Sequence, residues 1–215
     1  MNHTTGRPVL LVCGCRIYED YLHAALRRMD HPEFELIGVL GSTIETGPSF
    51  NPETRILTLP VPDTYEALPI KIHAAFAWIH RERPGIPGIF KTDDDMSFDM
   101  SAMVKAIYEN EKHPYGGLIV GTCNTKRINL ARINSRFSDK RLRPTHQSAT
   151  YCSGAGYWIS ASTLPILIAA ADEYRTSCLE DVCTGYVLNR AGILPVPIVF
   201  SFNENPRTPE LLALK

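Results

Sequence analysis

The feature that most limits what this chain can fold into is an alternation: short apolar runs, each followed by a segment whose apolar residues recur three or four positions apart. Residues 9–13 form the first run, and Tyr21, Leu22, Ala25, Leu26 and Met29 then follow at helical spacing until His31 and Pro32 stop them. Residues 34–40 and 56–59 read as further strands, parted by a Gly, Ser, Thr and Pro loop. A second helix carries Ile72, Ala75, Phe76 and Ile79 as its buried stripe, with Pro69 tolerated near its start because a first-turn residue has no intrahelical partner for its N–H. Residues 89–92 are the next strand, Met103, Val104 and Ile107 a third helical face, and 118–122 and 157–159 two more strands. Residues 164–174 and 181–190 read as helices and 196–202 as a last strand. This alternation predicts an α/β sheet with helices on both faces.

At 215 residues, 44% hydrophobic and 21% charged, the chain is long enough to bury one sizeable core, and a single domain over 1–215 is the expectation. A formal net charge of −1 gives no overall field to hold nucleic acid or an anionic membrane, so no nucleic-acid partner is expected and any polyanion site must be local. The start, MNHTTGRP, lacks the features of a secretory signal, and no segment approaches ~18 continuous apolar residues. A soluble, cytoplasmic chain without a membrane segment is expected, its six cysteines reduced in mostly apolar surroundings, and no pair of CxxC motifs offers a zinc site.

Three consecutive aspartates, Asp93, Asp94 and Asp95, follow the apolar run at 88–92, where a strand leaves the sheet. Ligands of open α/β sheets bind at that carboxyl edge. Adjacent carboxylates repel, and a hard cation relieves this: Mg²⁺ or Mn²⁺ takes one or two carboxylates together with phosphate oxygens and water. The same triplet also suits a solvated turn ahead of the next helix, and Asp99 reads as that helix's cap.

Gly154, Ala155 and Gly156 place three small residues before an apolar strand, either to let a ligand approach the backbone or simply to make a tight turn. Glu180 and Asp181 open a helix, where acids are favoured for electrostatic reasons alone. Where the hydroxyl of an acceptor is to attack a donor, however, one carboxylate must take its proton while standing apart from the metal-binding acids. Trp78 and Trp158 read as core residues, and His73 and His80 as surface or packing residues. Residues 123–150 interrupt the alternation with seven Lys or Arg against one acid, Asp139. This reads as a mobile solvated lid or as a clamp in which Arg132, Arg136 or Lys140 meets donor or acceptor.

In order along the chain, these pieces resemble glycosyltransferase family 31, the β-1,3-galactosyl, N-acetylglucosaminyl and fringe-like enzymes. Asp63-Thr64-Tyr65-Glu66 with Lys71 and Trp78 resembles the family's D-x-Y-x-N-L-T-x-K helix, and Phe90 to Asp95 its K-x-D-D-D. Tyr151 to Ser160 is similar to Y-C-S-G-G-G-Y-V-L-S, and Glu180 to Gly185 to E-D-V-Y-T-G. The resemblance implies a GT-A fold, a Rossmann-like, mixed but mostly parallel sheet flanked by helices, with a nucleotide-binding half over about 1–95 and an acceptor and catalytic half over about 96–215.

It further implies a UDP-sugar donor, a glycan or glycoprotein acceptor, and Mn²⁺ or Mg²⁺ held by Asp95 and Asp93. Cys13, Gly14, Cys15, Arg16, Asp93 and Asp94 would line the nucleotide pocket, Gly154, Ala155 and Gly156 the sugar pocket, and Asp181 beside Glu180 would supply the general base. Family members often supply a metal-binding histidine from the C-terminal end, whereas the last histidine here is His146. The family's animal enzymes are Golgi-anchored, so a microbial or viral enzyme, or one domain of a larger polypeptide, is the expectation here. A sugar-nucleotide pyrophosphorylase and a non-catalytic binding module remain as alternatives.

Overall fold

The computed structural model describes residues 6–122, 149–177 and 179–204. Arg132, Arg136, Lys140 and His146 lie outside the described residues. Eight strands form one sheet: β1 (Val9–Cys13), β2 (Glu35–Gly41), β3 (Ser49–Asn51), β4 (Ile56–Leu59), β5 (Gly88–Asp93), β7 (Tyr115–Thr122), β8 (Thr150–Ser160) and β9 (Val196–Pro197). Their spatial order is β3-β4-β2-β1-β5-β8-β7-β9. β3 and β8 pair antiparallel to their neighbours while the rest share one direction, giving the mixed, mostly parallel sheet flanked by helices that was expected. β6 (Met96–Phe98) and β10 (Phe202–Glu204) form a separate antiparallel pair just beyond the aspartate triplet.

The helices are α1 (Glu19–Arg28), α2 (Leu68–Glu82), α3 (Met100–Asn110), α4 (Leu164–Ile168), α5 (Ala171–Thr176) and α6 (Glu180–Arg190). Both sheet faces are covered, as β1 shows: Val9 and Leu11 belong to a core with Ile72, Phe76 and Ile79 of α2, while Leu10 and Val12 join a core with Leu22 and Leu26 of α1 and Met103 of α3. A strand alternates sides residue by residue, so burial on both sides produces the continuous apolar runs seen in the sequence. Phe76 has no exposed surface, and truncation to Ala would cost about 3–5 kcal/mol. α1 starts on Glu19 and Asp20 and ends on Arg27 and Arg28, which complements its dipole. Asp99 caps α3, its side chain accepting from the Ala102 N–H at 3.1 Å.

Three expectations need correcting. Gly154, Ala155 and Gly156 do not precede a strand but lie inside β8, which begins at Thr150. The expected strand at 196–202 is two short ones, because Pro195 and Pro197 lack the N–H groups a longer ladder needs. The single helix expected over 164–174 is α4 and α5, the second oriented so that the Tyr174 hydroxyl reaches Thr184 Oγ1 at 2.8 Å. Trp78 and Trp158 are core residues, 7% and 0% exposed.

Candidate active site

The carboxyl ends of β1 and β5 lie side by side, with Cys13 opposite Asp93 in register. Beyond Cys13 the chain is clamped by a buried ion pair that sequence reasoning did not single out as functional. Lys71 of α2 donates to Asp63 Oδ1 and to the Gly14 carbonyl, both at 2.6 Å, and the other Asp63 oxygen accepts from the Arg16 N–H at 2.5 Å. The Cys15 thiol donates to the Asp63 carbonyl at 3.4 Å. Among the residues expected to line a nucleotide pocket, Arg16 is exposed and Cys15 half-buried, whereas Cys13 faces the core. Burial pushes the Cys13 thiol up to about 12, so it is a neutral packing group and not a pocket-lining one.

At the end of β5 the three aspartates part company. Asp93 and Asp95 are half-buried, while Asp94 is only 1% exposed, which corrects the expectation that it meets a nucleotide from the pocket wall. The turn is fixed through its backbone: Asp94 donates its N–H to the Cys13 carbonyl at 3.1 Å, and Arg28 Nη2 donates to the carbonyls of Asp94 and Met96 at 3.0 and 2.7 Å. Two partly exposed carboxylates, two residues apart, fit the donor set of a hard cation that completes its shell with phosphate and water. No cluster of three His, Cys, Asp or Glu able to hold a metal occurs among the described residues, so such an ion would depend on its phosphate partner.

β8 and α6 close the other side. α6 follows directly on Leu179 and presses on β8 at Gly185, where an added Cβ would come within 2.5 Å of Tyr151 Cβ and 2.9 Å of the Thr150 carbonyl. This contact sets Asp181 against β8. Its Oδ2 accepts from the Gly154 N–H at 3.1 Å and its Oδ1 from the Val182 N–H at 2.8 Å. Burial first, then the neighbouring Glu180 charge, raise the Asp181 carboxyl to about 6, against the opposing pull of Lys91 and the two N–H groups. At Gly154 an added Cβ would make only ordinary contacts, 3.5 Å from Asp181 Oδ2 and 3.7 Å from Lys91 Nζ. Gly156 is buried, and its Cβ would strike the Phe90 ring at 2.7 Å, so its lack of a side chain serves packing against β5.

Glu180 is also placed differently from the expectation. It is 3% exposed, accepts from the Tyr157 hydroxyl and from Thr184 Oγ1, and lies 3.3 Å from Lys91 Nζ. A carboxylate sealed in this way cannot meet an acceptor, which leaves Asp181 as the acid of this pair that can. Lys91, in the middle of β5, was missed. Its ammonium donates to Asp93 Oδ1 at 2.7 Å and to the Gly154 carbonyl at 3.1 Å, and its side chain is 1% exposed. Burial opposes its charge, but Asp93 and Glu180 outweigh burial and hold its pKa well above the ordinary lysine value. The signal available in the sequence was a lone cation inside an apolar strand, affordable only with buried partners.

Comparison with known proteins adds to this geometry. A protein-family model described as Galactosyltransferase matches residues 40–198. Human β-1,3-galactosyltransferase 2 is 27% identical over 136 residues, which is 63% of this chain and 32% of that protein. Human β-1,3-galactosyltransferase 4 is 23% identical over 172 residues, 67% of this chain and 46% of the relative. The chain thus spans less than half the length of these relatives. Among solved structures, the galactosyltransferase LgtC in complex with donor and acceptor sugar analogs superposes with a TM-score of 0.46 at 10% identity, covering 87% of this chain and 72% of the other. Mouse xyloside xylosyltransferase 1 gives 0.44 at 11% identity, covering 89% and 85%. At those scores the structural likeness decides nothing. The family-model match spans well over half of the sequence and bears out the resemblance to glycosyltransferase family 31: the chain belongs to the galactosyltransferase family.

Proposed function

We propose that this chain is a metal-dependent, inverting glycosyltransferase that moves a hexose or deoxyhexose from a UDP-sugar to a hydroxyl of a glycan or glycoprotein acceptor. The observation that carries the reading is the Asp181 carboxylate, raised to about 6 and held by the Gly154 N–H, while Lys91 binds Asp93 and the Gly154 carbonyl. A base must be ionised at working pH yet basic enough to take a proton, and a value near 6 satisfies both. Each Asp181 oxygen accepts one backbone N–H and keeps a second lone pair for an acceptor hydroxyl.

In this mechanism Asp181 takes the hydroxyl proton as the acceptor oxygen attacks the anomeric carbon, and the bond from that carbon to the diphosphate breaks with its electron pair leaving on UDP. Asp95 and Asp93 would hold the Mn²⁺ or Mg²⁺, whose chemistry is to neutralise the charge gathering on the leaving diphosphate. The Asp63–Lys71 clamp fixes the loop of Gly14 to Arg16 that would receive the nucleotide. The catalytic reading draws support from the galactosyltransferase family model and from relatives named β-1,3-galactosyltransferases.

The test is UDP release from a panel of UDP-hexoses with Mn²⁺ or Mg²⁺ and simple glycoside acceptors, with the product anomer read by NMR. The expected result is turnover that a chelator abolishes, with the anomeric configuration inverted. A requirement for pyrophosphate or a nucleoside triphosphate would establish the pyrophosphorylase alternative instead, and donor binding without turnover the non-catalytic one.

A further inference from the structure

Lys91 occupies a position that neither donor binding nor proton transfer demands by itself. Its ammonium has three hydrogens, and three oxygens from three different elements surround it: Asp93 of β5 at 2.7 Å, the Gly154 carbonyl of β8 at 3.1 Å and Glu180 of α6 at 3.3 Å. The Tyr157 ring centroid lies 5.7 Å away, and the Tyr157 hydroxyl in turn donates to Glu180. Stability does not require such a group. A buried ion pair replaced as a unit by neutral residues of similar volume is often neutral or stabilising, because two desolvation costs disappear with it.

What the arrangement does achieve is electrostatic and geometric. Glu180 and Asp181 are adjacent carboxylates, and unless one of them is neutralised the two repel. We propose that Lys91 is the positioning residue for Asp181: by neutralising Glu180 and drawing Asp93, Gly154 and Glu180 to one point, it fixes Asp181 beside the aspartate turn as the one free carboxylate of its pair. This rests on the glycosyltransferase reading for its meaning, but its physical content is separate.

Among the described residues, the groups that bear on Asp181 are few. Glu180 lies on its own helix and Lys91 on β5. Tyr115 on β7 and Cys152 on β8 interact with it too, both pushed up by burial, Cys152 to about 12, and so neutral through the acid range. Nearby ionisable groups of the helices packed on α6 are engaged elsewhere: Lys71 with Asp63, His73 with the Ile168 carbonyl, Arg175 with Asp172 and Glu173 with Arg190.

The experiment measures the titration of Asp181 without metal or donor, as the difference in unfolding free energy between each background and the same background carrying Asp181→Asn, followed from pH 4 to 9. Lys91→Met removes the attractive charge and should move the transition up by about one pH unit, whereas Glu180→Gln removes the repulsive one and should move it down by a similar amount. Lys91→Met with Glu180→Gln should return it toward the unmodified value. Loss of packing alone would not produce shifts of opposite sign.

Transitions that stay put, or that move in the same direction in both variants, overturn the proposal. If Lys91→Met does not fold, Lys91→Gln, which removes the charge and keeps a polar side chain of similar length, takes its place, and an upward shift or none decides. Donor turnover by the unmodified chain, measured in parallel, keeps the two ideas apart. Opposed shifts without turnover sink the enzymatic reading and leave Lys91 as the residue that fixes Asp181, while turnover without opposed shifts sinks only the role of Lys91.

Discussion

Glu180 and Asp181 are chemically near-identical neighbours whose environments give them different work. Glu180 is enclosed by Lys91, Tyr157 and Thr184, while Asp181 is half-buried and meets two backbone N–H groups. Because folding raises the Asp181 carboxyl from 3.8 to about 6, the folded chain retains a proton there that the unfolded chain has already lost. The contribution of this group to stability therefore falls as pH rises from about 4 to 6, and the deficit is complete above that window. Asp181→Asn carries no charge to desolvate and should be more stable than the unmodified chain at pH 8 by about 1–3 kcal/mol, with the gain gone below pH 4. Urea unfolding at the two pH values checks this, and an equal effect at both would show that the carboxyl is not perturbed. The same titration places an acid limb near pH 6 in the rate of transfer, since protonated Asp181 cannot accept a proton. At this scale the sequence revealed which acids to watch through the order of their motifs. The family resemblance singled out Asp181 as base and Asp95 with Asp93 as metal ligands; the residue types alone could not, because consecutive acids differ only in which way the fold points them.

One contact explains how the elements deliver Asp181. α6 lies close against β8 because residue 185 has no side chain, and the space a Cβ would need is filled by Tyr151 and the Thr150 carbonyl. Asn189, one turn on, donates to the Thr150 and Gly185 carbonyls at 2.9 and 2.7 Å and locks the register of helix on strand. Gly185→Ala should therefore lift α6 from β8, costing about 1–3 kcal/mol of stability and lengthening the contact between Asp181 and Gly154. Thermal unfolding together with a turnover assay would show a loss of rate at temperatures where the chain is still folded. Unchanged activity would mean that α6 does not need this seat. The alternation of apolar runs and helical stripes made the sheet and its helices legible, since burial on one face or two imprints a period on the sequence. The stretch at 154–156 was placed ahead of a strand because small residues carry no period, and its strand character comes from the pairing of Gly156 with Thr92 of β5 inside the long strand β8. β3, β6 and β10, three residues each, are too short to show a period and exist through their partners.

Across the whole molecule, the continuous sheet brings the aspartate turn after β5, the clamped loop after β1 and the acid pair of α6 to one edge, although about 170 residues separate Gly14 from Asp181. No helix among the described residues is long and apolar enough to cross a membrane. The proposed metal and donor roles of the aspartates and the proposed base role of Asp181 can be separated by mutation. The most direct test is calorimetric binding of UDP with Mn²⁺ run alongside initial rates of transfer for Asp95→Ala and Asp181→Asn. Asp95→Ala is expected to lose metal-dependent donor affinity by about tenfold or more, whereas Asp181→Asn should keep affinity within about threefold and lose transfer by about 10²–10⁴. Equal loss of donor affinity in both variants would contradict that separation.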